Sequence, residues 1–150
     1  MRLTSPAFNE EDDLPEKYCS TREDINPPLE IEEVPEKAES LVLIVDDPDA
    51  VKMAGKIWEH WTVWNISPET KEIEEDSVPE NAVQGKTDFR KHDYAGPNPP
   101  EEGHTGRFQL YAIDKELDLD EESTREDVLD AIEDHVIEKG VLKAGFEPVD

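Results

Sequence analysis

The sequence predicts a mainly β fold, and three segments carry that prediction. The first runs from Ser40 through Leu41, Val42, Leu43, Ile44 and Val45 into Asp46, Asp47, Pro48, Asp49 and Ala50. Unbroken branched aliphatics bounded by polar residues read as a strand buried on both faces. Pro48 cannot donate to a ladder and holds Asp47 extended, so the strand should end there. The second segment, Trp58–Ile66, is aromatic and β-branched and is stopped by Ser67-Pro68. Period two puts Trp58, His60, Thr62 and Trp64 on one face, with Trp61, Val63 and Asn65 on the other. The third, residues 106–113, alternates Phe108, Leu110 and Ala112 with Arg107, Gln109 and Tyr111. The same parity places His104 on the Phe108 face.

The other elements follow in order. Residues 1–30 hold scattered apolar positions, Leu3, Phe8, Leu14 and Ile25, between turn formers, and Asn26-Pro27-Pro28 marks a rigid segment. Residues 29–31 read as a short alternating strand, and Val34-Pro35-Glu36 as a turn. From Val51 through Met53, Gly55 and Lys56 no period is visible, which predicts a loop over the strand end. Residues 67–103 are polar and rich in Pro and Gly, and a long loop inside a compact domain is more often functional than idle. A helix is predicted over 123–139. Ser123 or Thr124 caps it with Glu126 or Asp127 as the reciprocal partner, Leu129, Ile132 and Val136 form its apolar stripe, and Gly140 ends it. Residues 141–146 then make a short closing element. The whole chain, 1–150, reads as a single domain, with no internal repeat and no linker.

Composition narrows the function. The chain of 150 residues has 40 Asp+Glu against 15 Lys+Arg, a net charge of -25. Duplex nucleic acid and anionic membrane surfaces repel such a protein. Three tryptophans and the aliphatic strands argue for folding rather than disorder. The acid excess runs from end to end, the pattern expected of adaptation to high salt, as in a halophile. At molar salt the Debye length is about 3 Å, so the global charge does not keep an anion from a suitable pocket. Cys19 stands alone, which excludes an internal disulfide and a multi-cysteine metal site, and it reads as a packed side chain. No apolar run approaches the ~20 residues of a membrane span, and the first residues lack a secretory core, so a soluble cytoplasmic protein without stable membrane insertion is expected.

One constellation carries chemistry. If the three strands are neighbours, Asp47 and Asp49 at the end of the first meet His60 in the second and His104 at the start of the third. Carboxylates beside imidazoles fix their tautomers and tend to raise their pKa values. Imidazolium groups with loop N–H groups form a small-anion site, and the loop 94–103 could supply its wall. The bland alternatives stay open: three acids at a proline turn also make a solvated turn, and single histidines are commonly core or surface residues. Two His with one or two Asp also suit zinc or iron, although no compact ligand spacing is present. His92 and His135 read as surface residues. The serine-hydrolase elbow, the P-loop, the dinucleotide glycine motif and the calcium loop are all missing.

In order along the chain, Asp24-Ile25-Asn26-Pro27-Pro28-Leu29, Ser40 to Ala50, and Trp58 to Ile66 resemble the phosphatidylethanolamine-binding protein family, most closely its bacterial and archaeal branch. The likeness continues through Thr87-Asp88-Phe89, Tyr94 to Pro100, Gly103-His104 and Leu110 to Asp114, spanning nearly the whole chain. It implies a sandwich-like fold of two antiparallel sheets with peripheral helices, and a pocket that accepts phosphate-like head groups. Carried onto matching positions, Asp47 and Asp49 would form the pocket floor, His60 and His104 would contact the anion, and Gly96 and Pro100 would shape its rim. Two departures stand out. Val51 replaces a proline, and the family's His-Arg pair is His104-Thr105, with Arg107 two places on as the candidate substitute. Gly106 stands where the family's pocket tyrosine belongs, which predicts a roomier or wetter pocket.

The functional expectation is a non-catalytic, regulatory or inhibitory module that binds phosphate, carboxylate or a phospholipid head group and needs no cofactor or metal. The rivals are a metal-assisted hydrolase using the same Asp/His cluster, and an inhibitor of a protease or kinase acting through the rim loop. The resemblance also implies a homodimer, since prokaryotic members often dimerise.

Overall fold

The computed structural model describes residues 1–51, 55–97 and 103–146. Its elements are β1 (Arg2–Thr4), β2 (Leu29–Glu32), β3 (Ser40–Asp47), β4 (Trp58–Ile66), β5 (Glu72–Ile73), β6 (Val83–Gln84), β7 (His104–Ile113), α1 (Arg125–Ile132) and β8 (Val136–Phe146). They form two antiparallel sheets, β1-β2-β5 and β6-β4-β3-β7-β8. Short 3-10 turns follow at Glu16–Tyr18 and Pro48–Ala50. Among the described residues no helix is long and apolar enough to cross a membrane.

β3 lies at the centre of the larger sheet and explains the unbroken apolar run. Leu41, Leu43 and Val45 enter the main core between the sheets, with Leu3, Leu29, Ile31 and Ile73 opposite. Val42 and Ile44 enter a second core closed by Leu117, Val128 and Ile132 beneath α1. Both faces are covered, so alternation vanishes; each such side chain contributes about 1.5–3 kcal/mol on burial. The strand ends at Asp47, where Pro48 opens the 3-10 turn and the Asp47 carboxylate accepts from the Asp49 N–H at 2.9 Å.

Two sequence expectations change. α1 is capped by Thr124 with Asp127 as reciprocal partner, as the capping signature predicts, but it ends at Ile132. The residues assigned to its second half, and the tail beyond Gly140, form one eleven-residue strand, β8, paired along the whole of β7. A local stripe of Leu129, Ile132 and Val136 fits a helix, but the ladder to β7 and burial of Leu142, Ala144 and Phe146 fit only a strand. Val136, read as helix face, is exposed on an outer strand together with Ile137.

The second change lies in β4. Val45 pairs with Trp61 but Asp46 pairs with Glu59, so His60 is the extra residue of a bulge. The bulge splits the predicted face. Thr62 and Trp64 turn toward α1, where Thr62 bonds Glu59, while the His60 ring packs edge-on against Phe146 of the main core at 5.5 Å. The expected long loop, 67–103, carries β5 and β6, each two residues long. In the loop predicted after Val51, residues 52–54 lie outside the described residues.

Candidate functional site

β3, β4 and β7 are adjacent, so the end of one, the bulge of the next and the start of the third are neighbours. His104 Nδ1–H donates to Asp47 Oδ2 at 2.6 Å. Asp49 reaches across to β7 and accepts from the Thr105 N–H at 2.8 Å. Both carboxylates are thus engaged: Asp47 orients the imidazole, and Asp49 pins the strand that carries it. His104 keeps Nε2 as its remaining polar atom, on a side chain 12% exposed.

His60 is held differently. It is buried, and its Nδ1–H donates to the Ala95 carbonyl at 2.7 Å. Phe89 lies over the ring at 5.4 Å, and Trp58 meets Phe89 edge-on at 5.6 Å. Burial pushes the His60 pKa below its ordinary value, although the Ala95 carbonyl and the nearby Asp47 carboxylate oppose that push. The sequence expectation that neighbouring carboxylates raise it is therefore corrected: desolvation outweighs them. His60 is neutral at pH 7 with its proton on Nδ1, which leaves Nε2 as an acceptor.

Gly96 belongs to a loop tied to the N-terminal segment. Its N–H donates to Asp24 Oδ1 at 2.7 Å, the Tyr94 hydroxyl donates to the Tyr18 carbonyl, and the Ser20 N–H donates to the Pro97 carbonyl. A Cβ at Gly96 would stand 2.1 Å from the Tyr18 carbonyl oxygen, so only glycine fits this approach. Pro100, the other predicted rim residue, lies outside the described residues, as does half of the loop 94–103. Asp47, Asp49, His60 and His104 thus share one end of the sheet, with Gly96 next to the carbonyl that holds His60.

Two further readings are corrected. The space left by Gly106 is not open: the Phe146 ring from β8 fills it, 2.0 Å from where a Cβ would stand. Arg107 does not reach Asp47 or Asp49. It points to the opposite face of the sheet and grips Asp46 with two bonds, Nε to Oδ1 at 2.8 Å and a terminal nitrogen to Oδ2 at 3.0 Å.

Asp46 is the residue that sequence reasoning missed. It is fully buried and also accepts from Gln109 at 3.0 Å and from Arg125 Nε at 2.9 Å. Beside it, Glu59 accepts from the Thr62 hydroxyl at 2.5 Å and the Arg125 N–H at 3.0 Å, and burial raises its pKa. One signal was present: period two from Val45 sends Asp46 to the side of Arg107 and Gln109. Among the described residues, no group of three or more His, Cys, Asp or Glu side chains is arranged to hold a metal ion.

Known proteins share this architecture. The sequence profile of the phosphatidylethanolamine-binding protein family matches residues 4–147. A UPF0098 protein of Methanothermobacter thermautotrophicus is 42% identical over 147 residues, covering 95% of each chain. A UPF0098 protein of Chlamydia pneumoniae is 39% identical over 149 residues, 98% of this chain and 99% of that one. The crystal structure of a phosphatidylethanolamine-binding protein homologue from Chlamydia trachomatis superposes with a TM-score of 0.91 at 37% identity, covering 99% and 97% of the two chains. An E. coli protein described as a member of the mammalian PEBP family superposes with a TM-score of 0.90 at 24% identity, over 99% and 98% of the two chains, a likeness of fold.

Proposed function

This chain belongs to the phosphatidylethanolamine-binding protein family, and from that premise we propose that it binds a small phosphorylated head group through His60 and His104 and turns over no substrate. The observation that carries this reading is the 2.6 Å bond from His104 Nδ1 to Asp47 Oδ2. It holds a proton on Nδ1 and aims Nε2 away from the carboxylate; Nε2 accepts while the ring is neutral, and an anion that brings a proton to it meets an imidazolium whose charge Asp47 balances. His60 supplies the second atom. With Nδ1–H committed to Ala95, its Nε2 accepts from a hydrogen phosphate ester or takes up the proton itself. Two imidazole nitrogens at one end of the sheet, each able to accept a proton or, once protonated, to donate it, suit a phosphate monoester, which offers both kinds of oxygen. Gly96 belongs to the rim in this reading, and Asp47 and Asp49 hold the floor.

The experiment is calorimetric titration with phosphorylethanolamine. Wild type should bind and His60→Ala/His104→Ala should not, while both give the same circular dichroism. An unchanged isotherm for the double variant defeats the assignment. Because free His60 is neutral, binding above pH 6.5 should take up a proton. Titrations in buffers of different ionisation enthalpy read that number directly. The proposal includes work in concentrated salt: the charge of -25 repels itself in dilute buffer, so unfolding midpoints should rise with added KCl.

A further inference from the structure

Across the sheet from the histidines lies a second cleft, of about 380 Å³. It is built from three separated segments, 56–59, 86–90 and 124–126. Four of its ten lining residues are Lys or Arg, namely Lys56, Lys86, Arg90 and Arg125, and three are acidic, Glu59, Asp88 and Glu126. In a protein of net charge -25 even this small excess of cations runs against the global field.

Local pairing does not consume all of that charge. Lys56 meets Asp88 at 2.6 Å, and Arg125 is shared between Asp46 and Glu126. Among the described residues the Lys86 ammonium has only a distant contact, 3.7 Å, with Glu122. Arg90 is exposed, and among the described residues its guanidinium has no carboxylate partner. Glu59, nearly buried, contributes a carboxyl group to the wall; Oε1 is used by Thr62 and Arg125, which leaves Oε2 as its remaining polar atom. The cleft volume falls in the range of small-molecule sites, roughly 300–1,000 Å³.

We propose that this cleft is a second binding site, for a small phosphorylated compound bearing hydroxyl groups. Lys86 and Arg90 hold the phosphate, the guanidinium offering a planar fork of donors to two of its oxygens. Glu59 takes a hydroxyl group through Oε2. The site is separate from the histidine pocket and does not depend on it: the segment 86–91 stands between them, with Phe89 against His60 and its neighbours Asp88 and Arg90 lining the cleft.

The test is a ¹⁵N-resolved NMR titration with glycerol 3-phosphate at constant ionic strength, with glycerol as the uncharged arm. Amides of 86–90 and 125–126 should shift with glycerol 3-phosphate and stay still with glycerol. In Lys86→Ala/Arg90→Ala, which changes only surface side chains, the affinity read at those amides should fall by about tenfold or more. His60→Ala/His104→Ala should leave it unchanged, so failure of one site is distinguishable from failure of the other. Lys37→Ala/Lys71→Ala removes the same charge elsewhere and should also have no effect. Still amides in the wild type, equal shifts with glycerol, or equal losses in the two lysine-containing double variants would each overturn the proposal.

Discussion

Asp46 and Asp47 are consecutive, carry the same functional group and lie on opposite faces of one strand. Asp46 faces α1 and is saturated by Arg107, Gln109 and Arg125, with no exposed surface. Asp47 faces the other side and is bonded to an imidazole whose second ring nitrogen is the proposed contact to a guest. The first carboxylate closes a network and the second opens one. A buried charge ringed by its own partners has nothing left to offer a ligand, whereas a carboxylate tied to a histidine transmits its charge to whatever that histidine meets.

Deleting the closed network should cost most. Asp46→Ala leaves two guanidinium groups facing an uncharged hole and should lower stability by about 3–5 kcal/mol in urea denaturation. A loss no greater than that of an exposed Asp→Ala variant would break the contrast.

Arg107→Ala sharpens it. Asp46 keeps Arg125 and Gln109, so the cost should be about 1–3 kcal/mol, while affinity for phosphorylethanolamine stays at the wild-type value. Weakened binding at unchanged stability would return Arg107 to the pocket side.

Gly106→Ala tests the filled space. The new methyl group meets the Phe146 ring, and the expected loss is about 1–2 kcal/mol, part of it recovered by adding Phe146→Leu. Additive losses would show that the ring does not occupy that space.

The smallest effect is a pH dependence. The folded-state pKa of His60 lies below its unfolded value of 6.5, so the unfolded chain binds more protons between the two. Its contribution to stability is complete above pH 6.5 and fades as the pH falls through the folded value. His60→Gln should therefore lose less stability than wild type on acidification, with thermal midpoints as the measure; parallel curves would mean that His60 is not buried neutral.

Much of the fold was legible because its signals are local. A covered strand is continuously apolar, Pro48 stops it, and Thr124 with Asp127 starts a helix wherever the chain carries them. The far side of that helix was not legible, since 133–139 continues a helical stripe and becomes strand only when β7 offers its ladder. The meeting of Asp47, Asp49, His60 and His104 at one end of the sheet followed from placing three strands side by side. The bulge at His60 did not, because a bulge is an agreement between two strands about register.

The three central strands, the stop at Pro48, the acidic composition and the family landmarks were written in the residues themselves. Which of two neighbouring aspartates turns inward to its arginines, and that Phe146 fills the gap at Gly106, depended on chain segments 40 to 80 positions apart coming into contact. The character of His60 was decided in the same way. Burial is a property of what surrounds a side chain, and the rings packed on that imidazole, Phe89 and Phe146, reach it only once the sheet has closed.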